Sequence, residues 1–222
     1  MTTRVFLVRH GATVLSSEDR FAGAVDVELS DGGRHQARRL GARLAAQALA
    51  AVYASPMSRT METARLVAEP HRLDVTPVPD LREIAHGRWE GKTRAEVESQ
   101  FPEEYSRYEH DPFSFAPTGG ETGLQVIARS LPSLLSLVER HKGANILLVS
   151  HKATIRLLIS SLLGFDSRKY RDRLDQSPAG LNILDFKDID QARLTLFNDT
   201  SHYADAVPEI PTGRLSKVWD AK

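Results

Sequence analysis

Short, uninterrupted apolar runs alternate along this chain with stretches whose apolar residues recur every three or four positions. The runs "VFLV" (5–8), "AAVYAS" (50–55) and "ANILLVS" (144–150) are rich in strand formers and suit strands buried on both faces. Between them, Ala37, Leu40, Leu44 and Ala48 mark an amphipathic helix over 30–49, opened by Ser30 and Asp31. Met61, Ala64 and Ala68 mark a second over 58–69, with Ser58 as its expected cap. Leu124, Ile127, Ala128, Leu131, Leu135 and Val138 define a long third helix with Pro132 as the place for a kink, and a fourth spans 153–164, closed by Gly164. The segment 73–81 is extended but broken by Pro77 and Pro79, which places it at a sheet edge. Residues 93–111 are polar and predict short helices over the body, 117–121 is a loop, and 180–186 with 192–198 predict a terminal β pair. Strand and helix alternate, which predicts an α/β fold with a mostly parallel sheet and helices on both faces.

Composition narrows the class without naming it. The 222 residues suffice for one sizeable core, and the expected unit is a single domain over 1–222. Lys plus Arg (29) equal Asp plus Glu (29), so no global field draws the chain to nucleic acid or to an anionic membrane. There is no cysteine, which excludes a disulfide framework and a thiolate nucleophile. No apolar run reaches membrane-spanning length and the first residues do not read as a secretion signal, so a cytoplasmic location is expected.

Candidate chemistry lies at the carboxyl ends of the strands, where sites gather in open parallel sheets. Arg9 and His10 follow the first run, His151 follows "ILLVS", Arg59 follows "AVYAS" by a short turn, and Glu83 follows the proline-broken segment. Two guanidinium forks beside helix N-termini suit a phosphoryl oxyanion. A neutral histidine can attack phosphorus, a second can stabilise the transition-state oxygens, and a carboxylic acid can protonate the departing alkoxide. The scheme needs neither a metal nor a cofactor, and no pair of histidines has the H-x-x-x-H spacing of a helical metal site.

Four blocks, "LVRHGAT", "ASPMSRTMETA", "LREIAHGRWEG" and "LLVSHKATIR", resemble the histidine phosphatase superfamily, in its phosphoglycerate-mutase-like branch. The resemblance implies a three-layer α/β/α sandwich with residues 84–120 as a small cap over the active site. It implies that His10 becomes the phosphohistidine, that Arg9, Arg59 and His151 hold the phosphoryl group, and that Glu83 is the proton donor. Gly11 and Thr13 would hold the adjoining loop, Arg20, Phe21 and Gly23 of "RFAG" would line the substrate entrance, and "GGET" (119–122) would open the long helix. His86 and Lys152 stand between surface residues and substrate contacts.

Two departures bear on the reaction. Mutases of the branch carry tryptophan and asparagine where this chain has Leu15 and Ser16, and glycine where it has Lys152. The missing tryptophan and asparagine, with the short form of the segment between Glu83 and His151, favour a metal-independent phosphatase of a small phosphorylated metabolite, while Lys152 bears on which substrate it takes. The alternatives are a 2,3-bisphosphoglycerate-dependent phosphoglycerate mutase and an inactive phosphate- or partner-binding module. The terminal strands offer an edge on which a homodimer could form.

Overall fold

A computed structural model describes residues 1–14 and 20–204. Ser16 therefore lies outside the described residues. Six strands form one sheet: β1 (Thr3–Arg9), β2 (Leu49–Ala54), β3 (Val75–Pro77), β4 (Asn145–Ser150), β5 (Leu181–Asp188) and β6 (Gln191–Asp199). Their order across the sheet is β3-β2-β4-β1-β5-β6. The first four are parallel; β5 runs antiparallel to β1, and β6 antiparallel to β5. The expected mostly parallel sheet and terminal pair are both present, and the short proline-bearing β3 takes the edge.

Strand alternation sorts the core into two faces. Val5, Leu7, Ile146 and Leu148 pack with α5 (Gly123–Arg140) and α6 (Lys152–Leu162), through Leu134, Val138, Ile155 and Ile159. Phe6, Val8, Leu147 and Val149 pack with α1 (Asp31–Leu44) and α2 (Ser58–Ala68), through Leu40, Leu44, Ala64 and Val67. The result is the three-layer sandwich, with β1 and β4 buried on both sides as their unbroken apolar runs require.

Two more helices, α3 (Arg94–Gln100) and α4 (Pro102–His110), carry a core of their own. Phe21, Trp89, Val97, Tyr105, Tyr108 and Phe115 form it, apart from the clusters that flank the sheet. A last short helix, α7 (Tyr170–Arg173), leads into β5.

Helix starts follow the expected chemistry with one correction. Ser30 caps α1 by accepting from the Gly33 amide, as expected. At α2, however, Ser58 is inside the helix, and Asp26 Oδ1 accepts from both its amide (2.9 Å) and its hydroxyl (2.7 Å). The carboxylate suits the positive end of the helix and comes from a loop about thirty residues upstream. At α5, Thr122 and Gln125 form a reciprocal capping box, and the helix continues through Pro132.

Candidate active site

Strand order explains which side chains meet. Because β4 lies between β1 and β2, the residues that follow these three strands fall in one row: His10 after β1, His151 after β4 and Ser55 after β2. The rings of His10 and His151 are 5.3 Å apart, edge to face, and both residues are buried. On its other side His151 Nε2 is 2.8 Å from the Ser55 hydroxyl, while its buried Nδ1 has no hydrogen-bond partner.

The loop after β1 is fixed by close backbone packing. A side-chain carbon on Gly11 would lie 2.5 Å from the Gly33 carbonyl oxygen, so only glycine lets this loop pass the first turn of α1. The Gly11 amide donates to Thr63 (3.1 Å) and the Ala12 amide to Gln36 (3.0 Å), pinning the loop to α2 and α1. His10 Nδ1 is 2.8 Å from the Gly11 carbonyl. A carbonyl only accepts, so Nδ1 carries the proton and Nε2 holds the lone pair.

Electrostatics keep that lone pair available. Burial, then the charges of Arg9 and Arg59, hold the His10 pKa well below the ordinary imidazole value; its bond to Gly11 opposes them only in part. Burial and the neighbouring His10 and Arg59 do the same to His151. Both rings are neutral near pH 7.

Arg59 is a buried cation and Arg9 a half-buried one. Burial and Arg156 push Arg9 down to about 10, and burial lowers Arg59. Arg9 Nη1 donates to the Gln176 carbonyl (2.6 Å), while its Nε is buried without a partner. Arg59 Nη1 and Nη2 donate to the Val25 (2.7 Å) and Gly23 (2.9 Å) carbonyls, which ties the loop containing Gly23 to the first turn of α2. Charge held this far from water, with donor capacity left over, suits an anion.

Glu83 is held at the N-terminus of α6. Its Oε2 accepts from the Ala153 amide (3.1 Å), and its Oε1 accepts from the Ile84 amide (3.0 Å), the Thr154 amide (3.1 Å) and the Thr154 hydroxyl (3.2 Å). His151, at the N-cap position, makes no side-chain cap, so Glu83 performs that task from another segment. The segment bearing Glu83 is itself clamped: Arg129 donates to the carbonyls of Asp80, Arg82 and Glu83, and Glu121 accepts from both Arg129 and the Ala85 amide. "GGET" thus bears on the site through Glu121.

The remaining expected residues are placed as follows. Thr13 bridges Leu29. Arg20 donates to the Gly91 carbonyl (2.9 Å) and to Glu96 (3.4 Å), turned toward α3. Phe21 is fully buried against His86, Trp89 and Tyr108. Gly23 adopts φ +36°, and a side chain there would meet Glu90. His86 is buried, its pKa lowered by desolvation, and its amide donates to Glu90. Lys152 opens α6 with its Nζ 3.4 Å from Asp175.

Three neighbours were not singled out from sequence. Ser55 satisfies the same strand-end rule that exposed His151. Arg156 stands four residues after Lys152 on one helix face. Asp175 lies in a polar loop with no distinguishing pattern.

Residues 5–200 match the family model of the histidine phosphatase superfamily (branch 1), and the chain belongs to that superfamily. It is 33% identical over 167 residues to phosphoserine phosphatase 1 of Hydrogenobacter thermophilus, covering 75% of this chain and 79% of that one. It is 35% identical over 202 residues to a bifunctional protein of Mycobacterium tuberculosis; this covers 90% of the chain but only about half (55%) of that relative. The solved structure of Bacillus stearothermophilus YhfR superposes with a TM-score of 0.84 at 32% identity, over 90% of this chain and 98% of that one. The expected family and fold therefore hold, and with them the class of phosphoric monoester hydrolase.

Proposed function

We propose that this chain hydrolyses a small phosphomonoester by transferring its phosphoryl group to His10 and then to water. The observation that carries the reading is the Nδ1 contact with Gly11, which leaves a neutral ring with its Nε2 lone pair beside the buried Arg59 and the half-buried Arg9. No proton has to be removed before His10 can attack.

In the first step Nε2 forms a bond to phosphorus as the ester P–O bond breaks. Glu83 delivers its proton to the leaving alkoxide. Arg9 and Arg59 neutralise the equatorial oxygens, and His151 donates a hydrogen bond to them from the otherwise unpartnered Nδ1. In the second step water attacks the phosphohistidine, Glu83 takes its proton, and inorganic phosphate leaves. The loop from Arg20 to Gly23 and residues 84–120, joined by their shared aromatic core, form the cap on the entrance. His86, Gly23 and Lys152 belong to its lining.

No helix among the described residues is long and apolar enough to cross a membrane, and the balanced charge supports a small metabolite over nucleic acid as the partner. A cytoplasmic location fits the lack of cysteine. The test is release of p-nitrophenol from its phosphate with EDTA present, and acid-quench trapping of label on the protein from a labelled phosphomonoester. Turnover and a trapped phosphohistidine, both lost in His10→Ala, are expected. Isomerisation of 3-phosphoglycerate exceeding phosphate release would make the chain a mutase, and silence in all assays a binding module.

A further inference from the structure

A second group of cations stands beside the phosphoryl pocket, outside the chemistry just described. Lys152 and Arg156 occupy successive turns of α6 and converge on one oxygen, Asp175 Oδ1, at 3.4 and 2.9 Å. Arg156 is 7% exposed, and its Nε is buried without a hydrogen-bond partner. The next residue, Gln176, holds Arg9 through its carbonyl. The Asp175–Gln176 pair therefore joins this cluster directly to the clamp on the phosphoryl group. A single carboxylate oxygen serves two cations there, with the Arg9 charge adjoining them.

We propose that Lys152 and Arg156 form a second anion subsite, which makes the preferred substrates phosphomonoesters bearing a further carboxylate or phosphate group. This rests on the phosphatase reading and names the substrate class for the same site. Asp175 holds the two side chains in place in the free enzyme, and the second anion of the substrate supplies the counter-charge that one oxygen cannot. Lys152 is suited to the exposed side of the subsite, because 35% of its side chain reaches solvent while Arg156 forms the buried wall.

The lysine charge is also adjustable. Burial, Arg156 and Arg9 push Lys152 down to about 7, against the opposing pull of Asp175. These are the charged groups facing it from its own helix, from β1 and from the loop after α7. Preference for a doubly anionic substrate should therefore weaken as pH rises through about 7.

The test compares three substrates of matched length: propyl phosphate, the phosphate ester of 3-hydroxypropanoate, and propane-1,3-diol bisphosphate. At pH 6.5, kcat/KM at least tenfold higher for one charged homologue is expected, the better one showing whether carboxylate or phosphate is the second anion. Lys152→Met should cut that preference to about threefold through KM, and Lys152→Arg should restore it. The preference in the unmodified protein should fall between pH 6.5 and 8, which needs no variant. Equal or lower kcat/KM for both charged homologues, including no turnover of any of the three, would overturn the subsite. So would an unchanged preference in Lys152→Met. If p-nitrophenyl phosphate is not hydrolysed either, the phosphatase reading fails, and the subsite with it.

Discussion

His10 is a neutral ring in the proposed reaction, and its surroundings determine how far into acid that holds. With its pKa held well below 6.5 by burial and two arginines, the acid limb of kcat/KM should lie well below pH 6.5 once the substrate's own second ionisation is allowed for. An acid limb near 6.5 would mean an ordinary, solvated imidazole. Ser55 offers a finer test. Removing its hydroxyl deprives His151 of a hydrogen bond of about 1 kcal/mol, so Ser55→Ala should lower kcat about fivefold and the melting temperature by about 2–4 °C. At this scale the positions of the candidate residues were legible, because His10 and His151 stand just past strands and Arg59 at a helix start. Arg156 and Asp175 were not, since a mid-helix arginine and a loop aspartate look the same in sequence whether they face solvent or each other.

Among elements, α6 carries two loads at one end. Glu83 caps its first turn and is the proposed acid, so the two roles need variants that separate them. Glu83→Gln keeps an acceptor oxygen for the helix and loses the transferable proton. It should cost at least a hundredfold in kcat with a melting point within a few degrees of the native chain. Glu83→Ala should show the same loss of rate plus about 1 kcal/mol of stability from the lost cap, read by denaturant titration. Equal stability of the two variants would remove the capping role. Among the described residues the apolar periods found the long helices and strands to within a few residues, with α1 ending at Leu44 rather than near 49. Periodicity does not reveal a cap that arrives from a distant segment, which is why Asp26 at α2 and Glu83 at α6 emerge only in three dimensions.

For the whole molecule, buried neutral histidines tie stability to pH. His10, His151 and His86 are depressed, and burial followed by the Arg43 charge pushes His202 down to about 4. Each binds a proton more readily unfolded than folded. Stability should therefore be full above about pH 6.5 and decline as pH falls from there toward 4. Melting curves at pH 7.5, 6 and 5 check this, and a flat series would contradict it. Layering was legible from the alternation of strands and helices, whereas the order that puts β4 between β1 and β2, and so His151 between His10 and Ser55, was not. The separate aromatic cluster has an optical consequence. Trp89 sits wholly inside it, and the other tryptophan, Trp219, lies outside the described residues. With Trp219 replaced by phenylalanine, tryptophan emission would follow loosening of α3 and α4, while amide exchange at His10, bonded to Ser150, would follow opening of the central sheet. The chain thus contains two separate signals of unfolding, and a denaturant concentration at which emission shifts before His10 exchanges would mark a state with α3 and α4 loosened and the row of His10, His151 and Ser55 intact.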